Sequence, residues 1–239
     1  MFELGRGGLT ALQRARDVLD LAERRTGVRS RQEAAVALPP PSNELASILP
    51  QHDLPRGAAA AIVGSSGLLT QIISATQSAG WVAIVGWPQL GLLHMDGAGV
   101  DLERTMIIPE VHDKAASVIA GLLDGFDQVV IGPHIDLTPG ERRQLLARAR
   151  RNESTLLTRT AWDGTALQLR ATAVKWSGPD HGDRWLRQVH YDIARTSRWD
   201  ASERRFEVTL DWSACATDSA LAANVRVQEV APVRGVRAG

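Results

Sequence analysis

The sequence predicts an α/β fold in which a mostly parallel sheet carries helices on both faces and continues into a C-terminal antiparallel extension. Two observations predict it. Between Ala59 and Thr160, short apolar runs of strand length alternate with longer amphipathic segments, as they do when each strand is buried on both faces and the chain returns through a helix. From Ala166 onward the apolar period drops to two, the signature of half-buried antiparallel strands.

The chain opens with a predicted helix in residues 1–29, where Leu9, Leu12, Ala15, Val18 or Leu19, and Ala22 share one face and Gly27 is placed to end it. Residues 30–42 read as a linker stiffened by Pro39, Pro40 and Pro41. The helix therefore packs either on its own domain or on a neighbour. Residues 43–230 form the main domain, and the Gly- and Arg-rich tail 231–239 is expected to lack fixed structure.

Within the domain a short helical turn and a loop precede the first strand. Strands are expected at Ala59 to Gly64, Trp81 to Gly86, Arg104 to Ile108, Gln128 to Ile131 and Thr155 to Thr160. Helices are expected at Leu68 to Ala79, Gln89 to Ala98, His112 to Leu123 and Pro139 to Asn152, the last with Thr138 as N-cap and Pro139 at its first position. Four period-two segments follow: ALQLRATAVKW, WLRQVHYDIART, RRFEVTLDW and NVRVQEV.

Composition excludes several function classes. With 44% hydrophobic and 23% charged residues, the chain matches ordinary globular proteins. No apolar run approaches the ~18 residues of a membrane span, and MFELGRGGLTALQRARD lacks a signal-peptide core, so a cytoplasmic, membrane-free protein is expected. One cysteine, Cys215, permits no internal disulfide. The net charge of zero argues against a general polyanion binder, although residues 84–137 carry eight acids against two bases and 139–176 three acids against eight bases.

The stretch AAAAIVGSSGLLTQIISATQSA, Ala58 to Ala79, has the strand-turn-helix form of a phosphate-binding loop without its phosphate chemistry. In G-x-x-x-x-G-K-[ST] the backbone cradles phosphate, the Lys neutralises it and the hydroxyl holds Mg²⁺. With Gly67 as second glycine, the first falls on Ile62, the lysine on Leu68 and the hydroxyl on Leu69, with Thr70 one residue late. Gly64, Ser65, Ser66 and Gly67 would preserve the loop geometry better than the charges survive.

The order of pieces resembles the RecA core: LPRGAAAAIVGSSGLLTQIISATQSAGWVAIV, a helix, GVDLERTMIIP, a helix, then DQVVIG. The resemblance runs from about Leu45 to Ala173 and weakens past Gly132. It implies that Trp87 stands where RecA-like ATPases keep a catalytic glutamate and Gly132 where they keep the Mg²⁺ acid. Without Lys, Glu and metal ligand, no cofactor is expected and no ATPase activity. The segments matching the RecA DNA loops, Gly132 to Thr138 and AWDGT, are short, so direct DNA binding is expected to be weak or absent.

Missing ATPase residues, a length shorter than RecA and an Arg-heavy composition, 25 Arg to two Lys, together resemble the ImuA-like accessory proteins of actinobacterial SOS mutagenesis. That resemblance implies a non-catalytic adaptor of a damage-induced translesion-synthesis complex. Its partner would be an ImuB-like, Y-family-related protein, with an error-prone replicative-type polymerase reached indirectly. A SulA-like division inhibitor, a single-stranded DNA-binding module and a nucleotide-dependent RecA-like ATPase stay open as alternatives.

Partner-binding candidates are Leu12 and Leu19 on the N-terminal helix, Arg143 and Arg150 seven apart on an Arg-rich helix, and Trp185 and Trp199 among C-terminal arginines. The alternatives are a solvated helix face for the arginines and core filling for the tryptophans. The histidines lack metal-ligand spacing, and GSSG is one residue too tight for a nucleophile elbow, so neither a metal site nor a catalytic residue is read here.

If the N-terminal helix docks on a neighbour, deleting residues 1–29 will abolish self-association or partner binding while leaving the thermal unfolding midpoint of the core unchanged. Leu12→Asp with Leu19→Asp will act alike, since each buried leucine contributes roughly 1.5–3 kcal/mol. Normal binding, or unfolding of both variants, would place the helix on its own domain.

Overall fold

A computed structural model describes residues 44–178, 186–211 and 224–230. The expectations for Leu12, Leu19, the Pro-rich segment, Trp185, Cys215 and the tail lie outside these residues.

Two 3-10 turns, Glu44–Ile48 and Pro50–His52, lead into strand β1, Ala59–Val63. The alternation then runs α1 (Ser66–Gln77), β2 (Val82–Val85), α2 (Leu92–Gly97), β3 (Thr105–Ile108), α3 (Ala115–Leu122), β4 (Gln128–Ile131), α4 (Pro139–Asn152) and β5 (Thr155–Thr158). Strands β6 (Leu167–Ser177), β7 (Gln188–Ser197), β8 (Arg204–Asp211) and β9 (Asn224–Val230) complete one sheet of order β3-β2-β4-β5-β1-β6-β7-β8-β9. The six strands from β3 to β6 pair in parallel, and β6 to β9 pair antiparallel. This is the RecA-like core with the antiparallel extension that the apolar periods predict. β6 belongs to both halves, because one edge follows β1 and the other is a hairpin partner of β7.

The side-chain period of two divides the strands between two cores. Ala60, Ile62, Val82, Ile84, Val130 and Leu157 face one core. It is filled by Leu68, Leu69, Ile72 and Ile73 of α1 and by Leu45, Ile48 and Leu49 of the lead-in segment. Ala59, Ala83, Val85, Val129, Ile131 and Leu156 face the other, against Ile119 of α3 and Leu145, Leu146 and Ala149 of α4. The extension buries one face only. Leu167, Leu169, Ile193, Phe206, Val208 and Leu210 join the first core.

Local chemistry fixes the helix ends. Thr138 and Glu141 form a reciprocal capping box on α4, with Pro139 behind the cap as expected. Hydrogen bonds from the Thr138 backbone and hydroxyl hold the Glu141 carboxyl below the usual range. At the other end Arg148 forks onto Asp124 at 2.8 and 2.5 Å, tying α4 to the end of α3. Among the described residues no helix is long and apolar enough to cross a membrane.

Arg195 joins the extension to the lead-in segment. It is 3% exposed, donates to the Ile48 carbonyl at 2.9 Å and to both Asp200 oxygens at 2.9 Å, and lies over the Phe206 ring. Burial pushes the Asp200 carboxyl up, but hydrogen bonds from Ser197 and Arg195 outweigh it and hold its pKa below the usual value. Arg195→Leu strands Asp200 and the Ile48 carbonyl, so urea unfolding at neutral pH will show a loss of about 3 kcal/mol. A carboxyl depressed in the folded state stabilises above its unfolded pKa and ceases to as pH falls through its folded one. The wild type will therefore lose stability below about pH 4, and Asp200→Asn will lack that part of the decline.

Candidate functional site

Only Gly64 and Ser65 separate β1 from α1. Ile62 and Val63, which the motif alignment assigns to a loop, are paired with Leu169 and Arg170 of β6, and Ser66 and Gly67 are already helical. The expectation that loop geometry outlasts the charges is thus corrected. A phosphate cradle needs successive backbone N–H groups around a concavity, and a two-residue link forms none.

The helix end is closed by its own side chains. Ser65 Oγ accepts from Leu68 N at 3.0 Å and donates to the Tyr191 hydroxyl at 3.0 Å. A Cβ on Gly67 would lie 3.7 to 3.9 Å from Ser65 Oγ, His94 Nε2 and Tyr191 Oη. Leu68 and Leu69 are fully buried in the first core, and Thr70 Oγ1 donates back to the Ser66 carbonyl at 2.9 Å. Gly64, at φ +97°, passes under β6 so closely that any Cβ would collide with the Ala171 carbonyl.

The other two nucleotide positions are closed by backbone packing. Gly132 N donates to Val85 O at 2.7 Å, and a Cβ at Gly132 would lie 2.5 Å from Gly86 C and 2.8 Å from Trp87 Cβ. Gly86 itself sits at φ +71° against Ile135. An acid at 132 has no room unless the ends of β2 and β4 part. Trp87 is buried, with the Arg159 guanidinium 5.1 Å from its ring centre.

Beside this closed position a pocket of about 470 Å³ opens at the C-terminal ends of β1, β4 and β5, where open α/β sheets take ligands. Gly64, Gly132 and Thr158 form its floor, and Arg142, Arg159, Asp136 and Trp162 line it. Arg142 stacks on Trp162 at 5.4 Å, as Arg159 does on Trp87. Sequence reasoning missed this group, because Arg142, Arg159 and Trp162 lie on α4, after β5 and in a tight turn, with no shared motif. The turn AWDGT is as short as expected, closed by Trp162 N to Thr165 Oγ1 at 2.8 Å and Thr165 N to Trp162 O at 3.0 Å.

The remaining candidates separate. Arg143 and Arg150 are both exposed on α4, and neither joins the pocket. Trp199 is 43% exposed with Arg198 stacked on it at 4.4 Å. His134 hydrogen-bonds Gln89 at 2.9 Å rather than Asp136. Among the described residues no three His, Cys, Asp or Glu groups converge as for a metal. A further surface, which includes Trp176 of the Arg- and Trp-rich C-terminal region, lies at the far end of β6 and the start of β7. There Val174, at a β-bulge and 68% exposed, Trp176, 63% exposed, and Leu186 stand free of either core.

Restoring the missing groups will not rebuild a nucleotide site. Leu68→Lys places an ammonium in the first core and Gly132→Asp overpacks the strand ends, so denaturant unfolding will show each losing about 3 kcal/mol or more. Calorimetry of the double variant with Mg-ATP will give no binding heat.

A family model described as MT3502 N-terminal domain matches residues 47–164, which spans β1 to β5 and the closed site. The uncharacterized protein Rv3395c of Mycobacterium tuberculosis is 39% identical over 121 residues, 49% of this chain and 59% of the relative. The chain thus spans about three fifths of the length of that curated relative. Among solved structures, SulA from Pseudomonas aeruginosa aligns at TM-score 0.35 and 22% identity, covering 43% of this chain and 96% of that one. Each of the first two matches covers about half of this chain.

Proposed function

We propose that the protein is a non-catalytic adaptor of a damage-induced translesion-synthesis complex, a member of the actinobacterial ImuA-prime group, and binds an ImuB-like protein. The resemblance of the sequence supplies the pathway. The observation that carries the adaptor part is the contrast between the filled nucleotide positions and the exposed end of β6. The nucleotide positions are filled by Leu68, Trp87 and a Gly86–Gly132 contact, whereas Val174, Trp176 and Leu186 are left in solvent on a β arm.

Large apolar side chains on an arm beyond the core add little to folding and gain most when a partner covers them. Trp is among the residue types that dominate interface energies, at ~2 kcal/mol or more apiece.

The test is binding of the full chain to the ImuB-like protein of the same organism, by biolayer interferometry. Trp176→Asp will raise Kd at least tenfold with an unchanged unfolding midpoint, and Arg143→Ala will change it little. No binding by the wild type, or micromolar binding of Mg-ATP, would sink the proposal.

A further inference from the structure

We infer that the Arg142–Arg159 pocket is a carboxylate-binding site that takes an acidic side chain, Asp or Glu, of a protein partner. Both guanidiniums line one cavity, and neither has an ion-pair partner among the described residues. Arginine keeps its proton wherever it is placed, so both guanidiniums stay charged at the cavity wall.

The mounting of the two groups fits the same ligand. Trp162 and Trp87 lie beneath the guanidiniums, at 5.4 and 5.1 Å from ring centre to Cζ, and a guanidinium can fork onto a planar two-oxygen acceptor. Arg148 is spent on Asp124 and Arg195 on Asp200, whereas Arg142 and Arg159 have no such partner among the described residues.

A cavity of about 470 Å³ has room for a small ligand or for one or two side chains. Asp136 shares its lining, so a multiply charged anion meets more repulsion there than a single carboxylate does. The choice of a protein as source of the carboxylate rests on the adaptor reading. The pocket is separate from the Val174–Trp176 arm.

The experiment needs no natural partner. Arginine Nε–Hε resonances of the full wild-type chain are followed by NMR while acetyl-tetraglutamate amide, its tetraglutamine counterpart, free glutarate, inorganic phosphate and oligothymidylate are added in turn. The glutamate peptide is expected to shift the Arg142 and Arg159 signals saturably, at least fivefold tighter than glutarate, and the glutamine peptide not at all. Arg142→Gln is expected to weaken peptide binding at least tenfold, and Arg159→Gln gives the same reading should the first variant fold poorly. Equal shifts from the glutamine peptide, no shift from either, or tighter binding of glutarate, phosphate or oligothymidylate would each overturn the assignment. Failure here leaves the Trp176 test of the adaptor reading standing, and the reverse holds as well.

Discussion

The contact between Gly132 and Gly86 is the constraint on which the character of this molecule depends. In a parallel sheet of this kind the strand C-termini form the ligand edge, and side chains at the first residues past β2 and β4 face whatever is bound there. Here the two chain segments touch through their backbones, with a donor from Gly132 to Val85 at 2.7 Å and no space for a Cβ between them. The absence of an acid at position 132 is therefore a matter of packing as well as of composition. Ile135 fills the space beside Gly86, and Trp87 turns back into the core.

The same economy governs the β1–α1 link. Ser65 satisfies the helix start that a phosphate would otherwise satisfy, and its bond to Tyr191 of β7 makes the antiparallel extension part of that closure. Gly64 allows β6 to run close alongside. The extension is thus more than an appendage to the core. Arg195 ties it to the Ile48 carbonyl, so the lead-in segment, β7 and β8 share one buried polar junction. The positions that the RecA resemblance assigns to a nucleotide are filled by the chain's own residues.

What remains open at the ligand edge is shifted sideways, to the ends of β4 and β5 and the start of α4. Its two ring-backed arginines have a chemistry unlike the lysine and magnesium of a phosphate site. They recognise by planar hydrogen bonding in a partly apolar cavity. Together with the apolar end of the β6–β7 arm, this gives the domain two surfaces of opposite kind, one polar and recessed, one apolar and projecting.

The alternation of short apolar runs with helical segments, and the switch to period two after Ala166, determined the α/β class, the parallel-then-antiparallel order and nearly every element, because periodicity is a local property of the chain. Thr138–Pro139–Glu141 determined the start of α4 for the same reason. The shared exposed face of Arg143 and Arg150 was also legible, as a consequence of helical spacing. That Leu68, Trp87 and Gly132 stand where the RecA resemblance expects a lysine, a glutamate and a metal acid could be read from residue identity, but the absence of a cradle could not. That absence depends on Ile62 and Val63 pairing with β6, more than a hundred residues along the chain. Only the tertiary structure likewise decided the Arg142–Arg159 pocket, the Arg195–Asp200 junction and the exposure of Trp176 against the burial of Trp87. Each depends on which distant segments the sheet order brings side by side, and no spacing along one segment encodes that.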